Sequence, residues 1–89
     1  MKRQPTLEST FELYSQLAKI IPKKPNNPDL LYLYSHYKQA TIGDCNVAQP
    51  ESLINIKEKK KWEAWNSITG MTKKEAMQNY IDKVKFLSS

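Results

Sequence analysis

The amino-acid sequence predicts an all-α protein in which four helices form a bundle. Apolar residues recur at spacings of three and four along four segments, which is the period of a helix with one buried face. Capping and stop signals stand at the ends of these segments, and no segment has the strict alternation of a strand. Because 89 residues can support only one hydrophobic core, we expect residues 1–89 to form one domain.

The first helix is predicted to begin near Ser9. Ser9 and Glu12 have the spacing of a capping box, in which a hydroxyl and a carboxylate satisfy free backbone donors at a helix start. Pro22 has no backbone donor and ends the helix. The residues of the predicted apolar face are Phe11, Tyr14, Ala18 and Ile21.

The second helix is predicted to follow Asn27, its N-cap, and to end at about Ile42. Pro28 suits the first helical position because the donor it lacks would be unpaired there in any case. Gly43 supplies the left-handed conformation that closes many helices. The predicted apolar stripe comprises Leu30, Leu33, Tyr34, Tyr37 and Thr41.

A loop from Gly43 to Ile56 is predicted to precede a short third helix. The loop has no sustained apolar period, and its length of about 14 residues is typical of functional or mobile loops. In the helix, Trp62, Trp65 and Ile68 recur every three residues before Gly70. A cluster of lysines at positions 57, 59, 60 and 61 precedes the tryptophans.

The fourth helix has the clearest amphipathic pattern. Thr72 and Glu75 form a second capping-box pattern at its start. Its apolar residues are Ala76, Met77, Tyr80, Ile81, Val84 and Leu87. The short connections at residues 22–27 and 70–71 favour antiparallel packing of the helices that they join, whereas the long loop leaves the direction of the middle pair open.

The net charge of +5 at pH 7 suggests an acidic partner. A phosphorylated metabolite, a nucleic acid and an anionic lipid surface all meet this condition. Only Arg3 among the 14 basic residues is an arginine, whereas readout of base edges commonly uses bidentate arginine. The lysine-rich composition therefore favours point-charge contacts with phosphate, but charge alone does not choose among the three partners.

The hydropathy of the chain predicts a cytoplasmic protein with no stable membrane insertion. No apolar run approaches the roughly 18 residues that a membrane span needs. The charged start of the sequence is followed by no apolar stretch of the kind found in secretory signals.

The residue types that support catalysis or metal binding are scarce. His36 is the only histidine and Cys45 the only cysteine, and with scattered carboxylates they lack the spacing of a zinc site. Gly43 and Gly70, the two glycines, are both expected to end helices, which leaves no glycine-rich phosphate loop. We therefore expect no catalysis, no cofactor and no metal site. A thioesterase using Cys45 or His36 is the least favoured alternative.

Tyr34, Tyr37 and Lys38 are candidate ligand-binding residues because they lie on one face of a helix. Two interpretations are open at this point: these side chains converge on a ligand, or the tyrosines pack in the core beside a solvated lysine. Trp62 and Trp65 are likewise either core residues or the lining of a groove. The lysines before Trp62 form either a hydrated helix surface or part of a basic site.

Several motifs follow one another along nearly the whole chain. They are Lys24-Pro25, Leu31-Tyr32-Leu33-Tyr34-Ser35-His36-Tyr37-Lys38-Gln39-Ala40-Thr41-Ile42-Gly43-Asp44, Lys61-Trp62-Glu63-Ala64-Trp65-Asn66, Ala76-Met77 and Tyr80-Ile81. In this order they resemble the acyl-CoA-binding protein family. The resemblance implies a four-helix up-down-down-up bundle that binds one medium- to long-chain fatty acyl-CoA without catalysis. It also implies a monomer that buffers and transports this ligand and meets acyl-CoA-using enzymes transiently.

The resemblance also implies roles for individual residues. Tyr37 would stack on the adenine ring, while Tyr34, Lys38 and Lys61 would hold the region of the ribose 3′-phosphate. Tyr80 matches another ligand-contacting tyrosine of the family. Lys19 and Lys24 match basic residues near the entrance, and Leu30 and Leu31 match residues of the acyl groove. Tyr14 and Ser15 differ from the small residues that the family has in its first helix, so no preferred chain length is predicted.

The main alternative is a basic helical module that binds nucleic acid or anionic lipid. It would use the lysines at positions 57 to 61 together with Lys73 and Lys74, and it needs no pocket. Such binding depends strongly on salt because counterion release dominates it, and it would be indifferent to the acyl group.

Overall fold

The computed structural model describes residues 4–51 and 55–89, and these residues form four α-helices and one 3₁₀ turn. The helices are α1 (Leu7–Leu17), α2 (Asn27–Thr41), α3 (Ile56–Asn66) and α4 (Lys73–Ser88), and the 3₁₀ turn, Ala18–Ile20, follows α1 directly. The described ranges contain no strand, so the predicted all-α class is confirmed. Part of the predicted charged start, residues 1–3, and part of the predicted long loop, residues 52–54, lie outside the described residues.

Helix α1 begins at Leu7, two residues before the predicted start at Ser9. The backbone N–H of Ser9 donates to the Thr6 hydroxyl at 3.0 Å, and the backbone N–H of Thr6 donates to the Ser9 hydroxyl at 3.0 Å. The capping box therefore pairs Thr6 with Ser9, and the predicted pairing of Ser9 with Glu12 is wrong. The Thr6–Ser9 box satisfies the backbone N–H groups of Thr6 and Ser9, three residues earlier than predicted, which allows Leu7 to join the helix and pack against the core.

Helix α2 begins one residue earlier than predicted, because Asn26 rather than Asn27 is its N-cap. The Asn26 side-chain oxygen accepts the backbone N–H of Asp29 at 2.9 Å. The helix ends at Thr41, and Gly43 has a φ of 105°, which confirms the predicted left-handed residue beyond its end.

The buried face of α2 differs from the predicted stripe. Leu33 is buried as predicted and Tyr34 is partly buried, but Leu30, Tyr37 and Thr41 are exposed. The buried residues of α2 are Leu33, Ser35, His36, Gln39 and Ala40. The reason is that α2 packs against both α4 and α3, so a broad face that includes polar residues is covered.

The buried polar groups of α2 hold the connections between helices. The Gln39 side-chain amide donates to the Asp44 carboxylate and to the Met71 carbonyl, both at 2.8 Å. The same Asp44 oxygen accepts the backbone N–H of Gly70 at 2.8 Å. The hydrogen bonds from Gly70 and from Gln39 hold the pKa of Asp44 below its usual value. Asp44 therefore ties the segment after α2 to the turn between α3 and α4.

Helix α4 has the predicted start and the predicted buried face. The Thr72 hydroxyl accepts the backbone N–H of Glu75 at 3.1 Å and donates to its carboxylate at 3.0 Å. Its six predicted apolar residues are buried or packed against the core, which contains Phe11, Leu33, Ala40, Ala76, Tyr80, Ile81 and Val84.

Side-chain pairs between helices define the direction of each helix. The Phe11 ring contacts the Tyr80 ring, and the Lys85 ammonium group lies over the Tyr14 ring. Residue numbers therefore increase in the same direction along both helices, and α1 is parallel to α4. Asp29 forms a 2.7 Å ion pair with Lys83 whereas Tyr37 meets Tyr80, so α2 is antiparallel to α4.

Helices α2 and α3 are parallel, since Tyr34 meets Lys61 and Lys38 meets Trp65. Together these directions give the up-down-down-up bundle. The principal packed pairs are α1 with α4, α4 with α2, and α2 with α3. The predicted antiparallel directions of α1 and α2, and of α3 and α4, are confirmed. The prediction that these pairs are packed neighbours is wrong, because α4 packs against both α1 and α2.

Candidate ligand-binding site

A cluster of three aromatic rings lies where α1, α2 and α4 meet. The Tyr37 ring is 43% exposed and stacks on the Phe11 ring, with centroids 5.6 Å apart. The Tyr80 ring lies 5.1 Å from Phe11 and 6.0 Å from Tyr37, and both Phe11 and Tyr80 are buried. Two buried rings therefore hold one exposed ring, which presents a flat surface suited to stacking of a planar group.

A pair of side chains on α2 and α3, Lys38 and Trp65, holds a cation beside this cluster. Trp65 is only 2% exposed, and its indole N–H donates to the Gly43 carbonyl at 2.8 Å. The Lys38 ammonium group lies 5.2 Å from the Trp65 ring centre. Within the described ranges no carboxylate forms an ion pair with Lys38, so its charge is available to an anionic group.

A second pair between the same two helices is formed by Tyr34 and Lys61, whose ammonium group lies 5.4 Å from the centre of the tyrosine ring. Burial raises the pKa of the Tyr34 hydroxyl, with the positive charge of Lys61 acting in the opposite direction. Burial also raises the pKa of Tyr80, and proximity to Tyr37 adds to this effect. Both hydroxyls are therefore protonated at neutral pH and able to donate hydrogen bonds.

A groove of about 530 Å³ runs beside the aromatic cluster, between α1, α2 and α4. Its apolar lining includes Phe11, Tyr37, Ala40 and Met77, and its polar lining includes Glu8, Glu12, Ser15 and Lys73. A second cavity of about 470 Å³ lies on the other side of α2, among residues that include Leu31, Tyr32, His36, Ile68 and Met71. Both are large enough to hold part of an elongated apolar ligand.

Comparison with known proteins identifies the family. The family model described as acyl CoA binding protein matches residues 8–84. The chain belongs to the acyl-CoA-binding protein family. This finding confirms the resemblance that the sequence motifs carry.

Two curated relatives illustrate how far the similarity extends. The acyl-CoA-binding protein of Gossypium hirsutum is 46% identical over 81 residues, which cover 91% of this chain and 90% of that protein. Acyl-CoA-binding domain-containing protein 1 of Oryza sativa is 44% identical over 81 residues, which cover 91% and 88%. The similarity is thus not confined to a short motif.

Solved structures of the family have the same fold. The crystal structure of acyl-CoA-binding protein 2 of Oryza sativa superposes with a TM-score of 0.86 at 43% identity, covering 92% of this chain and 90% of that chain. The structure of the family protein from Moniliophthora perniciosa gives a TM-score of 0.85 at 33% identity, covering 94% and 82%. The four-helix up-down-down-up architecture is therefore shared.

The structure brings together five of the residues to which the family resemblance assigns a ligand contact. Tyr34, Tyr37 and Lys38 project from α2, where Lys61 from α3 and Tyr80 from α4 meet them. The other four lie outside this cluster. Lys19 and Lys24 are exposed near the end of α1 and in the connection to α2, Leu30 is exposed at the start of α2, and Leu31 lines the second cavity.

The structure also reveals supporting residues that sequence reasoning did not assign to the site. Phe11 was predicted only as part of an apolar face, yet its ring lies directly against Tyr37. Trp65, left open between core and groove, is a core residue that holds Lys38. Helical periodicity identifies both as buried, but only the packing of different helices indicates which exposed residue each one supports.

The two groups considered for catalysis are held by nearby backbone groups. His36 is buried, its Nδ1 lies 2.8 Å from the Tyr32 carbonyl oxygen, and its ring stacks on Tyr32 with centroids 4.0 Å apart. Burial lowers the pKa of His36, so the ring is neutral at neutral pH. The Cys45 thiol contacts the Val47 carbonyl at 3.9 Å. His36 Nδ1 also lies 3.2 Å from the Ser35 hydroxyl, which donates to the Tyr32 carbonyl at 3.0 Å. None of these contacts joins Cys45 to His36.

Two further properties concern metals and membranes. Within residues 4–51 and 55–89, no group of three or more histidine, cysteine, aspartate or glutamate side chains has an arrangement that could hold a metal ion. None of the helices in the same ranges is both long and apolar enough to cross a membrane.

Proposed function

We propose that this protein binds medium- to long-chain fatty acyl-CoA esters, one per monomer, and carries and buffers them in the cytoplasm without catalysis. The observation that carries the proposal is three sets of contacts along α2: Tyr34 with Lys61, Tyr37 with Phe11 and Tyr80, and Lys38 with Trp65. Aromatic faces for a base and cations for phosphates thus lie on one surface. Membership in the acyl-CoA-binding protein family supports the same ligand class.

The CoA head group is proposed to bind at the α2 surface. Tyr37 stacks on the adenine ring, a role supported by its exposure and by the two buried rings behind it. Tyr34 donates its hydroxyl hydrogen, and Lys38 and Lys61 their ammonium hydrogens, to the ribose 3′-phosphate. Charge-assisted hydrogen bonds of this kind are about twice as strong as neutral ones.

The acyl chain and the rest of CoA are proposed to use residues farther along the surface. Leu30 and Leu31 contact the alkyl chain, Tyr80 contacts the ligand beside Tyr37, and Lys19 and Lys24 attract the pyrophosphate near the entrance. Burial of each methylene contributes about 0.8 kcal/mol. Specificity therefore has two parts, since phosphate contacts select CoA and apolar burial selects long acyl chains.

The protein is proposed to act as a monomer in which residues 1–89 form one acyl-CoA-binding domain. Its partners are acyl-CoA and, transiently, the enzymes that use it, with neither nucleic acid nor stable membrane insertion in its function. No bound cofactor or metal takes part. The main alternative is a basic module that uses the lysines of α3 together with Lys73 and Lys74, and no specific contact within residues 4–51 and 55–89 favours it.

Calorimetric titration with palmitoyl-CoA, CoA alone and palmitate at two salt concentrations tests the proposal. We expect one-to-one binding of the thioester that is far tighter than binding of either fragment, and a constant thioester concentration over time. Lys38→Ala should weaken this binding while circular dichroism and thermal unfolding stay unchanged. Absence of thioester binding would overturn the proposal, and strongly salt-dependent binding without regard to the acyl group would favour the basic module.

A further inference from the structure

The cavity of about 470 Å³ on the other side of α2 contains a buried histidine that the proposed function does not use. His36 is 4% exposed and lines this space together with the apolar side chains of Leu31, Ile68 and Met71. The space is called the His36 cavity below. Its volume lies in the range of small-molecule sites, which are mostly apolar and contain a few polar groups.

One nitrogen of the His36 ring is engaged, and this contact defines the role of the other. Nδ1 lies 2.8 Å from the Tyr32 carbonyl oxygen, and the Ser35 hydroxyl, 3.2 Å from Nδ1, donates its own hydrogen to that carbonyl at 3.0 Å. Because a carbonyl oxygen only accepts, Nδ1 carries the ring hydrogen. Burial lowers the pKa of His36, so the ring is neutral at neutral pH and Nε2 is an acceptor.

This Nε2 acceptor faces the cavity without a partner. Within residues 4–51 and 55–89, no group donates a hydrogen bond to it. In the same ranges the Gln39 side-chain oxygen is the one fully enclosed side-chain nitrogen or oxygen that lacks a hydrogen bond, so Nε2 is open to the cavity. An apolar group placed over Nε2 would leave it unsatisfied at a cost, whereas a donor on a ligand would satisfy it.

The other polar side chains that line the cavity are oriented by bonds within the protein. The Ser35 and Ser67 hydroxyls each donate to the backbone carbonyl three residues earlier, at 3.0 and 2.7 Å, and the Asn79 amide donates to the Met71 sulfur at 3.7 Å. None of the described residues that line the cavity is charged at neutral pH. The lining is therefore suited to a neutral ligand, and His36 Nε2 is its open acceptor.

We propose that the His36 cavity binds a small neutral molecule with a hydroxyl group on an apolar skeleton, such as an alkyl-substituted phenol. The hydroxyl donates its hydrogen to His36 Nε2, and the skeleton packs against Leu31, Ile68 and Met71. An ionised ligand fits poorly, because a charge in an apolar cavity needs a partner of opposite charge. Lys83, which lies 5.2 Å from the centre of the Tyr32 ring, is already paired with Asp29 at 2.7 Å.

The His36 cavity is separate from the proposed acyl-CoA site. Tyr34 lies two residues from both Tyr32 and His36, which places it about 200° around α2 from each of them. The Tyr34–Lys61 pair and the exposed Tyr37 ring therefore lie on one face of α2, and the His36 cavity lies on the other. Occupation of one site should leave the other open.

Titration with two isomers, para-propylphenol and para-ethylanisole, tests the proposal. The isomers have the same atoms, but only the phenol has a hydroxyl hydrogen. We expect saturable one-to-one binding of the phenol, about two- to tenfold tighter than binding of the ether because of the added hydrogen bond. His36 is the only histidine, so its imidazole resonances in nuclear magnetic resonance spectra are unambiguous and should shift as the phenol binds. Equal binding of the isomers, or phenol binding that leaves these resonances unchanged, would overturn the proposal.

The variant His36→Asn removes the Nε2 acceptor. The asparagine amide can still donate to the Tyr32 carbonyl from a position close to that of Nδ1, so the local structure is retained. We expect this variant to bind the phenol as weakly as the ether, with circular dichroism confirming that it is folded. A preference for the phenol that persists in the variant would exclude Nε2 as the acceptor and overturn the proposal.

A cavity-filling variant provides a test that leaves His36 in place. Ala64 lines the cavity, and Ala64→Leu should weaken binding of both isomers by about tenfold or more because the larger side chain occupies the space they need. Ala48→Leu makes the same change at an exposed position outside the cavity and should bind both as the parent does. Equal effects of the two variants would overturn the assignment to this cavity.

Competition with palmitoyl-CoA separates the two sites. Saturating palmitoyl-CoA should change neither the affinity for para-propylphenol nor the His36 shift that the phenol causes. Displacement of the phenol would assign the cavity to the acyl chain and overturn the proposal of a separate site. Palmitoyl-CoA titration of Ala64→Leu should match that of the parent, so failure of the His36 cavity is distinguishable from failure of acyl-CoA binding.

Discussion

The Lys61 ammonium group on α3 lies 5.4 Å from the centre of the Tyr34 ring on α2 and 3.5 Å from the carboxylate of Glu58 on its own helix. The Lys61–Glu58 pair is substantially exposed, and exposed pairs one turn apart on a helix contribute only about 0.2 to 0.5 kcal/mol. A phosphate group carries more negative charge than the Glu58 carboxylate and would also accept a hydrogen bond from the Tyr34 hydroxyl. We therefore expect the ligand to replace Glu58 as the partner of Lys61.

Substitution of Lys61 should remove a charge-assisted phosphate contact. We expect Lys61→Ala to weaken palmitoyl-CoA binding by about 10- to 100-fold, the equivalent of a charged hydrogen bond worth roughly 1.5 to 3 kcal/mol. Calorimetry measures the change, and thermal unfolding should shift little because the residue lies at the surface. Lys60→Ala, one position earlier on α3, is the control, and an equal loss in both variants would remove Lys61 from the site.

Glu58 should compete with the ligand for Lys61. Glu58→Gln removes the competing carboxylate, so we expect affinity for palmitoyl-CoA to rise by up to about twofold at low salt, with a smaller gain at high salt because of screening. Titrations at two ionic strengths measure both effects. A fall in affinity would show that Glu58 positions Lys61 rather than competing for it.

The Tyr37 ring should matter for binding and its hydroxyl should not. Removal of the stacking surface in Tyr37→Ala should cost about 1 to 3 kcal/mol of binding free energy, the range for stacking of a base on an aromatic side chain. Tyr37→Phe keeps the ring against Phe11 and should bind nearly as well as the parent. Titration with CoA alone isolates this effect from the acyl chain, and equal losses in both variants would assign the contribution to the hydroxyl.

Acyl-chain length should control affinity until the apolar surface of the site is filled. Two added methylenes should strengthen binding by about 1.6 kcal/mol, roughly tenfold. Lauroyl-, myristoyl- and palmitoyl-CoA form a suitable series, with CoA alone as the common reference. Affinity that stays flat across the series would exclude burial of the chain while leaving the head-group site intact.

The stability of the fold should fall in mildly acidic solution because of His36. Burial lowers its folded-state pKa below the ordinary 6.5, so its contribution to stability is complete above pH 6.5 and is lost as the pH falls through the lowered value. The free energy of unfolding, measured by urea denaturation at a series of pH values, should decrease over this window. His36→Phe removes the titrating group and should flatten the profile there, while an unchanged slope would assign the effect to other residues.

Local signals in the sequence were sufficient for the existence and approximate limits of the helices. The Thr72 cap, Pro22 and the positive-φ residues Gly43 and Gly70 act within one turn of the chain, so their effects can be predicted without knowing the fold. The start of α1 shows the limit of such signals. Thr6 and Ser9 both offer capping hydroxyls, and the extra packing of Leu7 is consistent with selection of the earlier one.

The candidate site was only partly predictable for a related reason. Tyr34, Tyr37 and Lys38 were placed on one helix face by their spacing alone, and family resemblance added Lys61 and Tyr80. The predicted apolar stripe nevertheless failed at Leu30 and Tyr37, which are exposed, and did not include His36 and Gln39, which are buried. Periodicity identifies a face, but the number of neighbouring helices determines how wide the buried face is.

The sequence by itself therefore determined the helical class, the approximate limits of the helices and the residue types available for a ligand, because these depend on local backbone chemistry and side-chain spacing. Tertiary structure alone decided that α1 packs on α4, that Phe11 and Tyr80 support the Tyr37 ring, and that Leu13, Leu17 and Ile20 remain outside the core. These outcomes depend on which apolar faces meet when the whole core forms, and that choice is made by packing between segments far apart in the chain.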